Sequence, residues 1–252
     1  MALHTSVVVD ENITPTYTVV LAHGFTQNGR CWGGLDKLLA QRYRVVCVDL
    51  PGHGRSDHDE ASLELSAELL AEAGGQGTYV GYSMGGRIAL HLAIQQPSLV
   101  HRLVLLGTNP GIEDAVQRQQ RAHQDNALAE ELLEIGVDAF IERWLQNPLF
   151  DGLSADAAAV EERVKNRPTG LASTLRHRSV GQQRSLWPSL GQVSTPTALI
   201  AGSEDPKYCD INRRAVSQFQ AGHNLECPGS HAVHLQEPEV IAHKIIEHIE
   251  HA

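Results

Sequence analysis

The chain has 252 residues, of which 42% are hydrophobic and 20% charged, a balance that is typical of a folded globular protein. Its formal net charge of −10 argues against nucleic acid or an anionic membrane surface as a partner. The apolar runs, such as LVLLG at 103–107, are far shorter than the roughly 20 residues that a membrane span needs. The composition leaves the oligomeric state open and is compatible with a monomer.

Residues 1–15 and the cysteines indicate a cytoplasmic protein. The segment MALHTSVVVDENITP has no basic stretch followed by an apolar core, so we expect no signal peptide. Cys31, Cys47, Cys209 and Cys227 are scattered, and no C-x-x-C pair suggests a zinc ribbon or a redox motif. We therefore expect reduced thiols, no metal and no cofactor.

Short apolar runs alternate with segments of helical periodicity, and this predicts an α/β fold with a mostly parallel central sheet and helices on both faces. Strands buried on both faces read as continuous apolar runs, as these do. In chain order the predicted elements are strand 16–24, helix 34–41, strand 43–52, helix 60–73, strand 77–83, helix 84–96, strand 101–111, strand 196–205, helix 207–219, strand 223–231 and helix 236–250.

The alternation stops over residues 109–188, which are polar, rich in Ala, Gln and Arg, and periodic at helical spacing. The helices expected there are 113–136, 137–146 and 154–167. We therefore expect a core formed by 1–108 and 189–252, with 109–188 as a helical cap insertion. Because open α/β sheets bind ligands at the carboxyl ends of their strands, we place the insertion over that edge.

The sequence GYSMG at 81–85 matches the pattern G-x-S-x-G, which holds a serine at the apex of a tight turn between a strand and a helix. The pattern also occurs by chance in ordinary Gly-rich turns. Here the apolar run TYV precedes it and the helical pattern RIALHLAIQQ follows it. This context predicts that Ser83 is a nucleophile at the carboxyl edge of the sheet.

A serine hydroxyl needs a base, and the base needs an orienting acid, in the chain order Ser, acid, His. Asp205 follows the strand TALIAG and His231 follows the last strand, so both are predicted at the edge that carries Ser83. Glu204 and His234 are neighbouring alternatives. We favour Asp205 because its loop extends beyond the strand end, and His231 because it directly precedes the final helix.

The segment AHGFTQNGRCW at 22–32 is similar to the HG segment whose backbone N–H groups help to form an oxyanion hole. The donors are predicted to be the amides of Phe25 and Met84. The Gly-rich segment DLPGHGRSD at 49–57 lies at the same edge and is interpreted as structural.

Arg87 lies in the first turn of the helix after Ser83, where the helix dipole disfavours a cation by about 0.3–1 kcal/mol. The insertion adds Arg118, Arg121 and a basic segment at 163–167. Helix starts and guanidinium groups attract the same anions, so Arg87, Arg118 and Arg121 are candidates for contact with an anion. For Arg118 and Arg121 the alternative is a solvated helix face with acidic neighbours.

The motifs HGF, DLPGHGRSD, GYSMGG, GSED and GSHAVHLQEP resemble the α/β-hydrolase superfamily over nearly the whole chain. More specifically, GYSMGGR, TNPGIEDAVQRQQRAHQD, WLQNPLF, GLASTLR and VGQQRSLW resemble the 2-succinyl-6-hydroxy-2,4-cyclohexadiene-1-carboxylate (SHCHC) synthases of menaquinone biosynthesis. That family eliminates pyruvate from the polyanion 2-succinyl-5-enolpyruvyl-6-hydroxy-3-cyclohexene-1-carboxylate. The resemblance therefore implies a carbon–oxygen lyase with a small polyanionic substrate.

The resemblance also implies roles for individual side chains. Arg87 and Arg121 would bind substrate carboxylates, and Tyr82 and Trp144 match aromatic pocket residues of the family. A further family arginine falls within 163–167, where RVKNRPTG departs from the pattern and leaves its register open.

By analogy with the family, Ser83 would act as a base, activated by His231 and Asp205, and take a proton from the carbon next to the succinyl ketone. Two other classes of function share these features. A serine hydrolase of esters or carbon–carbon bonds would form an acyl-enzyme with the same triad, and a binding protein would keep the triad idle. The arginines within 87–121 favour an anionic ligand over a mainly apolar hydrolase pocket.

Overall fold

The computed structural model describes residues 2–251, which are built around a seven-stranded sheet. Its strands are β1 (Thr5–Val8), β2 (Thr18–Ala22), β3 (Arg44–Val48), β4 (Gly77–Tyr82), β5 (Val100–Leu106), β6 (Thr197–Gly202) and β7 (Gly222–Cys227). They lie in the order β1-β3-β2-β4-β5-β6-β7, with β1 antiparallel to β3 and the other neighbouring pairs parallel. The predicted α/β class with a mostly parallel central sheet is confirmed.

Strand β1 was not predicted from the sequence, because the predicted sheet begins at 16–24. The strand is four residues long and pairs with β3 at the edge of the sheet, with Thr5 opposite Val48 and Val8 opposite Val45. An edge strand of this length is only partly buried and need not show the continuous apolar run of a central strand. The sheet edge formed by β1 was therefore missed.

The described residues form ten α-helices, which cover both faces of the sheet and form the insertion. They are α1 (Leu35–Ala40), α2 (Leu63–Gly74), α3 (Met84–Gln95), α4 (Ala115–Ile135), α5 (Val137–Trp144), α6 (Val160–Arg163), α7 (Pro168–Arg178), α8 (Pro206–Val216), α9 (Val233–Gln236) and α10 (Pro238–His251). Helices α1 and α10 pack in one apolar core, whereas α2, α3 and α8 pack in the other. Within residues 2–251, no helix combines the length and apolarity that crossing a membrane requires. All four cysteines are buried as free thiols.

Four helices, α4 to α7, lie between β5 and β6 instead of the three that were predicted. The helices predicted over 113–136 and 137–146 are confirmed as α4 and α5. The helix predicted over 154–167 is wrong, because only α6 is helical there. Helix α7 was missed altogether, and it begins at Pro168. The fixed φ of proline suits the first position of a helix, while proline disfavours helical backbone in the residue before it.

The helical segment between β5 and β6 has a small apolar core and close contacts with the loops at the sheet edge. The buried core residues are Ala129, Leu132, Phe140, Ile141, Leu171, Ala172 and Leu175. The side chain of Asn166 accepts a hydrogen bond from the N–H of Gly54 (2.7 Å) and donates one to the carbonyl oxygen of Thr26 (2.8 Å). Gly170 packs closely on Gly52, since a Cβ added to Gly170 would lie 2.3 Å from the carbonyl oxygen of Gly52.

We expect Gly170→Ala to lower the free energy of unfolding by about 1–3 kcal/mol, because its Cβ would overlap Gly52 and push α7 off the sheet edge. Thermal unfolding followed by circular dichroism measures the change. Gly191→Ala is the matched control, since the nearest atom to its Cβ would be the carbonyl oxygen of Gln218 at 3.7 Å. Equal unfolding midpoints for the wild type and Gly170→Ala would contradict this packing.

Candidate active site

Ser83 lies in the turn that joins β4 to α3, and its backbone adopts φ 51° and ψ −105°. A positive φ is unusual for a residue with a side chain, and it is the strained conformation of a nucleophile elbow. Glycines allow the tight crossing: a Cβ on Gly85 would lie 2.0 Å from the carbonyl oxygen of Ala22, and one on Gly81 would lie 2.5 Å from the Cα of Gly86. The predicted elbow therefore has the local geometry that its sequence suggests.

Ser83, His231 and Asp205 lie in one hydrogen-bonded line. The Nδ1 atom of His231 is 2.9 Å from Oδ2 of Asp205, and its Nε2 atom is 3.3 Å from Oγ of Ser83. Because a carboxylate only accepts hydrogen bonds, Nδ1 carries the proton and Nε2 is left to accept from the hydroxyl. The side chains of His231 and Asp205 are only 4% and 5% exposed. This arrangement can remove a proton from Ser83.

Packing fixes the orientation of the His231 ring. Gly107 has φ +52°, and an added Cβ there would lie 2.8 Å from Cε1 of the imidazole. The rings of Tyr208 and Tyr82 pack against His231 at centroid distances of 4.4 and 5.3 Å. Burial raises the pKa of the Tyr82 phenol, so the hydroxyl remains protonated at neutral pH.

Neither neighbouring alternative joins this line. Glu204 is exposed, and its backbone N–H donates to the carbonyl oxygen of Gly229. His234 is fully buried between the rings of Trp32 and Tyr82, and neither of its ring nitrogens has a hydrogen-bond partner among the described residues. Burial holds the pKa of His234 at about 3, so this imidazole is neutral at physiological pH.

Phe25 and Met84, whose backbone amides are the predicted oxyanion donors, lie close to Ser83 at the carboxyl end of the sheet. Phe25 follows β2, Met84 is the first residue of α3, and both residues line the same cavity as Ser83. Neither amide donates a hydrogen bond to another described residue. The first N–H groups of a helix have no partner within the helix, so that of Met84 is available to a ligand.

A cavity of about 560 Å³ adjoins the carboxyl end of the sheet, with Ser83 and His231 in its wall. Tyr82 and Trp144 also line it, as predicted for aromatic pocket residues, and Trp144 meets Phe25 edge to face at 5.2 Å. The wall has six basic and two acidic side chains, although the chain as a whole carries −10. These charged residues are Arg87, Arg121, Arg163, Arg178, Lys207, Arg214, Glu113 and Asp114.

Arg87 is buried in the first turn of α3, a turn that contains no acidic residue. Its Nη1 donates to Oε1 of Gln183 (3.0 Å) and its Nη2 donates to the carbonyl oxygen of Arg178 (2.8 Å). Burial lowers the pKa of Arg87 to about 10, so the side chain stays charged at neutral pH. Both acceptors are neutral, and the charge of Arg87 remains available to a ligand that enters the cavity.

The two arginines of α4 differ in their position. Arg121 lines the cavity, and its Nε donates to the carboxylate of Asp125 at 2.8 Å. Arg118 instead donates to the carbonyl oxygens of Ile112 and Glu113 at the start of the helix, and it is not among the described residues that line the cavity. The structure therefore brings Arg121 to the site and leaves Arg118 outside it.

The segment 163–167 contributes Arg163 to the cavity. Arg163 is 1% exposed, its Nε donates to the carbonyl oxygen of Ala158, and its Nη2 has no partner among the described residues. Burial lowers the pKa of Arg163. Lys165 and Arg167 instead form ion pairs with the carboxylates of Glu162 and Asp59.

Arg178 was not predicted as a site residue, although it is fully buried and lines the cavity. Its guanidinium donates to the carbonyl oxygens of Asp59 and Ala61 and to the hydroxyl of Thr174, and burial lowers its pKa to about 10. Arg178 ends α7, a helix that the sequence analysis missed. A helix starting at Pro168 is the one signal that could have indicated it.

We expect the neutral, buried state of His234 to make folding stability depend on pH. As the pH falls from 7.5 to 5.5, an unfolded histidine takes up a proton that buried His234, with a pKa of about 3, does not. The free energy of unfolding therefore decreases, and His234→Phe should remove about 1.4 kcal/mol of that decrease. Urea unfolding of both proteins at the two pH values measures it, and an identical pH dependence would contradict the assignment.

The chain is similar in sequence and fold to known proteins of one family. A model of the alpha/beta hydrolase family matches residues 19–244. A relative from Bacillus subtilis (strain 168) is 32% identical over 255 residues, which are 95% of this chain and 93% of the relative. The 2-succinyl-6-hydroxy-2,4-cyclohexadiene-1-carboxylate synthase of Serratia proteamaculans (strain 568) is 32% identical over 240 residues, or 89% of each chain.

The structure of MenH from S. aureus is similar with a TM-score of 0.89 and 27% identity, covering 98% of both chains. The similarity to these proteins therefore extends over the sheet, the site and the helices between β5 and β6. The chain belongs to the alpha/beta hydrolase family and, within it, to the family of the SHCHC synthases.

Proposed function

We propose that this chain eliminates pyruvate from 2-succinyl-5-enolpyruvyl-6-hydroxy-3-cyclohexene-1-carboxylate to give SHCHC, a step of menaquinone biosynthesis. One observation carries the proposal: the line of Ser83, His231 and Asp205 ends in a cavity whose buried arginines have no described carboxylate within salt-bridge distance. Those arginines are Arg87, Arg163 and Arg178. The relatives that bear the synthase name support the same reaction.

The charge of the proposed substrate fits the charge of the cavity. The substrate has carboxylates on its ring, its succinyl chain and its enolpyruvyl group, so it brings three negative charges. A buried guanidinium without a counter-ion has lost its hydration, and a carboxylate that binds it restores a strong interaction. Arg87 and Arg163 are the unpaired cations that we assign to two of these carboxylates. Arg121 is assigned to the third from the family resemblance, because it lines the cavity even though its Nε is paired with Asp125.

The names of substrate and product define the chemistry that the site must perform. The substrate has one ring double bond at C3 and the product has two, at C2 and C4, so a proton leaves C2 and the enolpyruvyl oxygen leaves C5. Ser83 gives its hydroxyl proton to Nε2 of His231 and takes the C2 proton. Asp205 holds the Nδ1–H of His231 and stabilises the imidazolium that forms.

The electrons of the C2–H bond are stabilised first by the neighbouring succinyl ketone, whose oxygen becomes negative. The amides of Phe25 and Met84 are the donors that we assign to this oxyanion. The C2–C3 double bond then forms, the ring double bond moves to C4–C5, and the C5–O bond breaks. The departing enolate of pyruvate receives a proton from His231 and becomes pyruvate, which balances the reaction.

The helical insertion at 109–188 is proposed to act as a cap that holds the substrate over Ser83. Arg121, Trp144, Arg163 and Arg178 all come from this segment and line the cavity. By fixing the carboxylates on one side of the substrate, these residues would present the C2 hydrogen to Ser83 on the other.

We expect Ser83→Ala to lower the rate of pyruvate formation by at least about 10³-fold, because His231 then has no hydroxyl to activate. A lactate-dehydrogenase assay measures pyruvate, and calorimetry should show that the variant still binds the substrate. Turnover close to that of the wild type would contradict the role of Ser83.

A serine hydrolase would use the same triad but would accumulate an acyl-enzyme. We therefore expect no burst and no covalent adduct of Ser83 by mass spectrometry when the wild type reacts with the menaquinone precursor. A trapped acyl-Ser83 would favour the hydrolase function over the lyase.

We expect Arg87→Ala to raise KM for the precursor about 10- to 100-fold, the loss of one or two charged hydrogen bonds. Arg118→Ala is the matched control from outside the cavity, and its KM should match that of the wild type. Steady-state kinetics measure both variants, with circular dichroism to verify folding. An unchanged KM in Arg87→Ala would refute the carboxylate role.

A further inference from the structure

We propose that Gln183 is the positioning residue that holds Arg87 toward the cavity and keeps its charge available to an anionic ligand. The inference rests on the proposed function, because it assigns a substrate carboxylate to Arg87. Gln183 belongs to the motif VGQQRSLW, and nothing in the reaction as described above uses it. Gln183 is 1% exposed, whereas the neighbouring Gln182 is exposed.

The hydrogen bonds of Gln183 require a neutral amide. Its Oε1 accepts from Nη1 of Arg87 at 3.0 Å, and its Nε2 donates to the carbonyl oxygen of Pro110 at 2.8 Å. A guanidinium can only donate and a carbonyl can only accept, so these two partners together fix the orientation of the amide. A carboxylate at this position would satisfy Arg87 but would place an acceptor against the carbonyl of Pro110.

The neutrality of these contacts distinguishes Arg87 from two other cations of the cavity, Arg121 and Arg214. Arg121 is paired with Asp125, and Arg214 is paired with Glu113 at 2.6 Å. Arg87 has only the amide of Gln183 and a backbone carbonyl as its acceptors. An adjacent carboxylate would compete with the ligand for the guanidinium, and the low dielectric of a buried site would make this competition strong.

The rest of the fold holds the two acceptors of Arg87 in place. The second acceptor is the carbonyl of Arg178, whose guanidinium is anchored to the carbonyl oxygens of Asp59 and Ala61. Gln183 is anchored through Pro110, in the loop after β5. Arg87 therefore contacts two residues of the insertion, Arg178 and Gln183. These two residues are in turn hydrogen-bonded to two separate loops at the sheet edge, one after β3 and one after β5.

Gln183→Glu is the decisive variant, and Gln182→Glu is its matched control, because it adds the same charge one residue away on the surface. We expect Gln183→Glu to raise KM for the menaquinone precursor at least about tenfold, with kcat changed by less than about threefold. This is the pattern expected when an interaction that stabilises the bound substrate and the transition state equally is lost. Gln182→Glu should leave both constants unchanged. An unchanged KM in Gln183→Glu would overturn the proposal.

Gln183→Met separates charge from structure. Methionine removes both hydrogen bonds but adds no charge, so its KM should rise less than that of Gln183→Glu. A residue that merely supports the loop would show the opposite order, since glutamate still offers an acceptor to Arg87. Thermal unfolding of each variant verifies that it is folded, and a larger KM in Gln183→Met would overturn the proposal.

A binding experiment with citrate, a tricarboxylate, tests the inference without turnover. Calorimetry should show that Arg87→Ala and Gln183→Met each weaken citrate binding at least about twofold. The double variant, which adds no new charge, should be no weaker than Arg87→Ala, as expected for coupled residues. If the wild type forms no pyruvate but this pattern holds, the proposed reaction fails and the role of Gln183 stands. Additive effects, or citrate binding that is absent or independent of Arg87, would overturn that role.

Discussion

The close crossing of the start of α3 over the end of β2 is the constraint on which the site depends. No side chain fits at Gly85, because its Cβ would lie 2.0 Å from the carbonyl oxygen of Ala22. This one crossing holds Ser83 in its strained turn, presents the amide of Met84 beside it, and places Arg87 one helical turn further on. The proposed base, oxyanion donor and anion-binding cation thus share a single rigid support, which reduces the cost of aligning them for a reaction.

Buried arginines with neutral partners are the second feature that unites this structure. Burial lowers the pKa of Arg87 and Arg178 to about 10, which still leaves both charged at neutral pH. Charged groups that lose hydration without gaining a counter-ion lower the stability of a fold. In an acidic protein, such residues are best explained by a ligand that supplies the negative charge, and the proposed tricarboxylate substrate does so. Arg121 and Arg214 already have carboxylate partners, Asp125 and Glu113, so they lower the stability of the fold less.

Sequence reasoning succeeded where the signal is local and failed where it is not. The buried central strands, the elbow around Ser83 and helix α4 each follow from a run of neighbouring residues, and all were predicted. Strand β1 was missed because a short edge strand is only partly buried. Helix α7 and its last residue, Arg178, were missed because Pro168 reads in the sequence as the end of the preceding helical segment. It is in fact the first residue of α7. The register of 163–167 also needed the structure, since all three basic residues there look alike in the sequence.

The sequence by itself determined the α/β architecture and the strand ends at which Ser83, Asp205 and His231 lie, because periodicity and turn residues act over short distances along the chain. Only the tertiary structure decided which of two neighbouring candidates joins the hydrogen-bonded line. It is His231 that hydrogen-bonds to Asp205, whereas His234 is buried elsewhere. It also decided that Gln183 contacts Arg87, 96 residues earlier in the chain. Such contacts depend on how elements that are far apart in the chain pack together, and a local sequence pattern carries no information about that packing.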